Sequence, residues 1–424
     1  MPRFPAGRVP APDALPRLSR AVAVGTFGVL AIAYGLHGMG RQVFPVLLPG
    51  IRADLGFGLG AGGFLATVST LGVGLAGIPA GYLLARLSRR AVMAVGILVF
   101  AGCTVLTAVA TGVGDMAVYR ALSGVGEALQ NVALFAAVGA YFAAHRALAL
   151  GGLTVAYGIG SFLGPVLGVQ LAGALGGWTA PFWVYGMLGL VLVVVVATFV
   201  SRRFTEQPEP TSDELPEETV AHVPASLYNR NLVLISITAA IVGVATYGYI
   251  ALYPTFLQEQ LGFGPAATAS AAGVFGLGAL VALPAGRLAD RWDPRVVVAV
   301  ALVAGAGVGR LLFHGPRDLG GQLGLSFAEG AVAGGVLFVT LHAAMQRAVR
   351  PPMAGRASGV FIAAFHVPAA FAGYLFGALV TAAGWAGAAL WQLTVLPLAG
   401  AAVVLLVDVR RFADAGPAGP AGAE

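Results

Sequence analysis

The chain has 424 residues, of which 58% are hydrophobic and only 10% charged, and its mean hydropathy is +0.86. Soluble domains carry about 25% charged residues, so this chain cannot cover itself with polar surface and reads as a membrane protein. The net charge of +6 comes from arginine alone; lysine is absent, which excludes lysine nucleophiles, and no aromatic-interleaved basic patch points to nucleic acid.

The first 20 residues are rich in Pro and Arg, and the apolar run after them is too long for a signal-peptide core of roughly 7 to 15 residues. They are read as a retained cytoplasmic tail. A membrane helix needs about 20 mostly apolar residues. On that measure the predicted spans cover 21–49, 60–84, 91–111, 116–142, 147–173 and 180–201, then 231–258, 265–288, 296–314, 320–346, 355–381 and 385–408. The fold expected is therefore an all-α integral membrane protein. Its bundles cover 21–201 and 231–408, with a cytoplasmic linker at 202–230 and a cytoplasmic tail at 409–424. The linker holds six acids and four prolines and reads as flexible and solvated.

Ionisable residues at bilayer depth are costly and point to function. On the first helix Tyr34, His37 and Arg41 share one face; on the fourth Arg120, Gly124, Glu127 and Asn131 share another. A guanidinium matches a carboxylate as a planar fork, and a glutamate buried away from cations favours its neutral acid and can load and release a proton. Arg41 and Glu127 are thus the leading pair, although Arg41 also lies where it would snorkel to the outer interface. Arg120 joins Glu127 and Glu329 as a proton-coupling candidate, the other reading being that it braces the fourth helix or pairs with Glu127. Tyr249 and Tyr253 on the seventh helix are substrate contacts or interfacial anchors. Glu329, on the tenth helix and 202 positions after Glu127, is read as pairing with Arg310, a second titrating site being the other reading. His342 and His366 fit hydrogen-bonded core residues, with His366 also a substrate-contact candidate.

Cys103 is the single cysteine, so no intramolecular disulfide or cysteine-rich metal site is possible. No H-E-x-x-H, G-x-S-x-G or compact acid or Cys/His cluster occurs, so no enzyme activity, metal or cofactor is expected. "GVGLAG" at Gly72 to Gly77 fits a dinucleotide pattern, but within a span it reads as close helix packing.

Two charged decapeptides punctuate the spans, "GYLLARLSRR" at Gly81 to Arg90 and "GRLADRWDPR" at Gly286 to Arg295, 205 positions apart. Each follows the second span of its half, so the chain reads as a duplicated six-helix unit whose halves are related by an axis along the membrane normal. With both termini inside, only Arg52 and Arg317 fall outside and Arg41, Arg120 and Arg310 within spans; the other 19 of 24 arginines lie on the cytoplasmic side.

The layout and the motif G-x-L-x-D-R-x-x-x-R resemble the major facilitator superfamily over about residues 20–410. "RALSGVGEA", from Arg120, and "GIGSFLGPVLG", from Gly158, are similar to its fourth- and fifth-helix motifs, with Val169 replacing a final glycine. The resemblance implies twelve helices as two six-helix bundles with pseudo-two-fold symmetry, with the first, fourth, seventh and tenth lining the cavity. It also implies a cytoplasmic gate in which Gly286, Asp290 and Arg291 meet the start of the fifth helix at Arg146. In the first half Ala85 stands where the motif has its aspartate and Ser88 replaces a common glycine.

"YGLHGMGRQVFPVLLPGIRADLG", from Tyr34, resembles the first helix of the anion:cation symporter branch, whose arginine contacts a substrate carboxylate. The fourth-helix segment is similar to that branch, where a glutamate carries the coupling proton, and to spinster-type carriers. Gly40 stands where the branch often has an acid. The function implied is proton-coupled symport of a small organic anion across the cell (plasma) membrane by a monomer whose partners are solute, proton and bilayer. A proton-driven drug or metabolite efflux antiporter is the alternative, favoured by the Gly-Pro pair at Gly164 and Pro165.

Overall fold

Helix dominates because a backbone inside lipid must satisfy its polar groups within its own segment. The computed structural model describes residues 18–84, 86–142, 146–207, 222–282, 292–350 and 353–413. The first half contains Arg20–Leu55, a second helix in two pieces (Leu59–Thr67 and Ser69–Leu84), Arg89–Ala108, Val113–Tyr141, Arg146–Leu175 and Thr179–Phe199. The second half contains Arg230–Glu259, Pro265–Gly278 and Pro294–His314. Its tenth helix runs as Leu319–Gly330, a π-turn at Ala331–Leu337, and Phe338–Arg347. Ala354–Ala369 and Ala372–Ala389 follow, then the closing turns to Val404.

Among the described residues ten helical runs are long and apolar enough to cross a bilayer, and Pro265–Val281 is a shorter apolar one. The last run, Ala354–Val404, is broken by Gly384 at φ 71° and ψ 174°, a left-handed φ that separates an eleventh crossing from a twelfth. The arrangement is consistent with twelve crossings. Val191 and Val194 on the sixth helix and Val300 and Val303 on the ninth are exposed, as lipid-facing positions require.

The duplication is visible atom by atom where small residues let helices touch. A Cβ on Gly124 would stand 1.8 Å from the carbonyl oxygen of Ser69, and one on Gly330 would stand 1.9 Å from that of Phe275. Likewise Gly72 is pressed on Ala121 and Val125, and Gly278 on Phe327 and Ala331. Every partner in the second half lies 206 positions after its counterpart. In that register Glu329 matches Ser123, and Glu127 matches Ala333, one helical turn from Glu329.

The halves join along two glycine-lined seams. The second and eleventh helices meet at Gly63 and Gly373, and Thr67 donates its hydroxyl to Ala370 O at 2.7 Å. The fifth and eighth meet at Gly158 and Gly276. "GVGLAG" lies inside the helix Ser69–Leu84, where Gly72 and Gly74 make close contacts and no phosphate-binding turn exists.

Apolar packing differs between the two ends of the bundle. At the end bearing the termini, each half has its own core, around Leu30, Val92 and Leu134 in one and Leu232, Leu341 and Phe361 in the other. At the far end one core runs through both halves, joining Leu48, Ile51 and Phe182 to Tyr253, Phe256 and Phe376. There Arg52 Nη1 also meets Glu259 Oε1 at 2.9 Å.

The segment at 202–207 departs from the reading of a flexible, solvated linker. Arg202–Thr205 forms a turn, and Glu206 accepts backbone hydrogen bonds from Arg89 and Arg90, each at 3.1 Å. The free amides at a helix start draw the acid in. Asp293 caps the ninth helix in a similar way, and hydrogen bonds from Arg295 hold its carboxyl below the usual carboxylate range.

Candidate functional site

Arg41 lies two-thirds along the first helix with its side chain only 10% exposed, so it turns inward and does not snorkel to an interface. Its Nη1 donates to Glu127 Oε1 and its Nη2 donates to the Tyr247 hydroxyl of the seventh helix. The guanidinium thus ties a carboxylate of its own half to a phenol of the other. Its Cζ lies 5.1 Å from the centre of the Tyr247 ring.

The other oxygen of Glu127 is 3.1 Å from His37 Nε2, at ion-pair distance but off hydrogen-bond alignment. His37 is held by aromatic rings, with Phe100 at 4.5 Å and Tyr34 and Tyr157 at 6.1 Å between centroids. Glu127 therefore does not stand away from cations, as the sequence suggested; one cation and one imidazole flank it. A Cβ on Gly40 would fall 2.9 Å from the Phe100 ring, so that ring occupies the space an acid at this position would need.

Arg120 does not pair with Glu127. Its Nε donates to Leu65 O at 2.7 Å and its Cζ lies 3.9 Å over the Phe44 ring, so it braces the fourth helix against the first and second. Arg41, Arg120 and Glu127 nevertheless line one small cavity, with Ser69, Thr104 and Ser123 beside Phe100 and Phe182 in its walls. Two guanidinium groups and one carboxylate leave it with a formal excess of one positive charge.

The remaining candidates are spread more widely. Tyr249 and Tyr253 are buried and stacked at 4.6 Å, with their hydroxyls on Ser326 Oγ at 2.7 Å and Gln322 Oε1 at 2.9 Å; they are not interfacial anchors. They face a second crevice with Gln42. His366 is buried with Nδ1 3.0 Å from Ile362 O, and its ring lies 6.2 Å from that of Tyr247. Asn131 is half-buried, its Oδ1 without a partner.

The expected Glu329–Arg310 pair does not form. Arg310 is exposed on the ninth helix while Glu329 is buried, and no ion pair joins them. Of the expected gate, Gly286, Asp290 and Arg291, and likewise Ala85, lie outside the described residues; Arg146 opens the fifth helix, with its side chain outside them.

Sequence reasoning missed Tyr247 and Tyr157. Tyr247 sits two positions before Tyr249, a rotation of about 200° on a helix, so the face opposite the tenth helix was there to be read. Tyr157 precedes Gly160 by three positions, and Gly160 marks the face packed on Gly35 of the first helix. Among the described residues no group of three His, Cys, Asp or Glu side chains could hold a metal.

Comparison with known proteins agrees with this architecture. A Haemophilus influenzae protein, provisionally named a metabolite transport protein, is 27% identical over 249 residues, 55% of this chain. The match spans 59% of that relative's length. A bacterial homologue of the human lysosomal transporter Spinster, inward-facing and occupied, superposes with a TM-score of 0.74 at 16% identity, over 93% of this chain and 99% of that one. The nucleoside transporter NupG superposes at 0.68 with 16% identity, over 90% and 98%. The Major Facilitator Superfamily profile matches residues 30–373, which is most of the chain and spans both glycine-packed halves, so the protein belongs to that superfamily.

Proposed function

We propose that the protein is a secondary transporter working by alternating access, and that it moves a small organic anion together with a proton across the cell membrane, with both termini in the cytoplasm. The observation that carries this reading is the position of Arg41. Its guanidinium is occupied on one side by Glu127 and on the other by Tyr247. An incoming carboxylate can take the Glu127 side of the fork only when Glu127 lets go, and protonation is what removes its charge. Proton and anion then load together because they are linked through one cation. Tyr34, His37 and Asn131 would shape the pocket around the anion, with His366 beside it. The shared far-end core supports a conformation closed at that end, with access to the site from the side of the termini.

Uptake of a panel of carboxylates and lipophilic cations into proteoliposomes, with and without an inward proton gradient, tests the proposal. Carboxylate accumulation should collapse in Arg41→Ala and lose its proton dependence in Glu127→Gln. A second reading, proton-driven efflux of a cationic or neutral solute, draws on the Gly-Pro pair. A Cβ on Gly164 would stand 2.5 Å from Met39 backbone atoms, so this motif fixes the fifth helix on the first beside the Arg41 cluster. Cation exclusion that survives Arg41→Ala would select that reading.

A further inference from the structure

The second half contains a buried carboxyl that the Arg41 cluster does not use. Glu329 is 7% exposed, and its Oε2 is enclosed without a hydrogen-bond partner. An ionised carboxylate in that situation is very costly, and the cost disappears when the group is the neutral acid. The register between the halves sharpens the point. Glu329 replaces Ser123, and the position matching Arg120 is Ser326, so the cation of the first half has no equivalent beside this acid.

The groups around it offer no countercharge. The seventh helix presents Tyr249 and Tyr253, and the described part of the eighth, Pro265–Gly278, has no titratable side chain. Arg310 and His314 of the ninth are exposed, and His366 of the eleventh is bonded to Ile362 O. His342 lies on the tenth helix itself, stacked on Phe361 at 4.7 Å. Among the described residues Glu329 has no ion pair. What the site does have is a row of hydrogen-bonding groups on one helix face, Gln322, Ser326 and Glu329, set against the hydroxyls of Tyr253 and Tyr249. The π-turn Ala331–Leu337 begins two residues later, an irregularity that recurs at functional sites.

We infer that Glu329 is a second proton-binding site, separate from the Arg41–Glu127–His37 cluster and loaded as the neutral acid in the conformation described here. Release breaks the carboxylic O–H bond, passes the proton to water admitted when the tenth helix moves, and leaves a carboxylate. Loading reverses this step. The second proton would add one charge per cycle to whatever the first half couples.

Infrared spectroscopy of the full chain in lipid nanodiscs tests this without any solute. At pH 7 the wild type should show the carbonyl stretch of a protonated carboxylic acid, sensitive to deuterium exchange. The band should be lost in Glu329→Gln and kept in Glu127→Gln. Glu329→Asp, which preserves the acid if the amide variant fails to fold, should shift the band without removing it. A spectrum of Glu329→Gln identical to wild type, or a band lost only in Glu127→Gln, would overturn the inference. Either result leaves the transport reading of Arg41 intact, because that reading is tested by uptake.

Discussion

Arg41 and Tyr247 are 206 positions apart in the chain, the same interval that relates the two halves, and their side chains meet across the interface. Counterparts under a two-fold operation touch only near the axis itself. The pair therefore marks the centre of the molecule, and the duplicated halves have placed a cation in one copy and a neutral acceptor in the other.

Removing the Tyr247 hydroxyl while keeping its ring isolates this link. A hydrogen bond to a charged group contributes about 1.5–3 kcal/mol. If the contact exists in this conformation alone, Tyr247→Phe should raise the share of the alternative conformation by roughly tenfold or more. Distance measurements between spin labels at the termini-side ends of the fourth and tenth helices would report it. An unchanged distance distribution argues against a cross-interface role.

Breaking a buried ion pair from one side leaves the other charge stranded, at a cost of about 3–5 kcal/mol. Arg41→Ala should therefore lower thermal stability more than the double variant Arg41→Ala/Glu127→Gln. Unfolding of the purified variants in detergent gives the comparison, and strictly additive losses would show that the two side chains are not coupled.

Backbone contact between halves predicts a steric response. A Cβ on Gly63 would stand 2.1 Å from Gly373 O, and one on Gly373 2.0 Å from Gly63 O. Overpacking typically costs about 1–3 kcal/mol, so Gly63→Ala and Gly373→Ala should each loosen the far end. A cysteine placed near Leu55 in a Cys103→Ser background should become more reactive to a water-soluble thiol reagent in both.

The Arg52–Glu259 bridge is partly exposed, with side chains 20% and 41% accessible. Such pairs contribute about 0.2–1 kcal/mol. Glu259→Gln should shift the conformational balance by less than about fivefold, and the effect should vanish in 1 M salt, where the screening length is about 3 Å. Single-molecule fluorescence between far-end labels measures both arms.

Glu206 supplies a cap that ordinary helix starts obtain locally. Glu206→Ala should cost about 1 kcal/mol, within the usual range for lost caps, and Ser88→Ala should add to it, since Ser88 Oγ accepts from Ala91 N at 3.2 Å. Thermal unfolding of both single variants and the double variant decides whether the two caps act together.

Much of the architecture could be read from apolar run lengths and the twin decapeptides, since bilayer thickness and backbone satisfaction leave helices few alternatives. The chemistry was less legible. Arg41 and Glu127 were visible as isolated ionisable residues, but a contact between positions 86 apart depends on helix placement, which periodicity does not contain. The same limit hid Glu206, whose partners lie more than 110 positions away on another helix. The expected Glu329–Arg310 pair failed for the same reason: the two lie on successive helices, but one is buried and the other exposed.

The uneven distribution of apolar packing gives the two mouths of the protein different thermal behaviour. Parting the joined end wets oily side chains and carries a positive heat capacity, while parting the end with two self-contained cores wets few of them. Oily cohesion weakens in the cold, so chilling should favour the form that gapes at the end remote from the termini, with a curved van't Hoff plot for the exchange between forms.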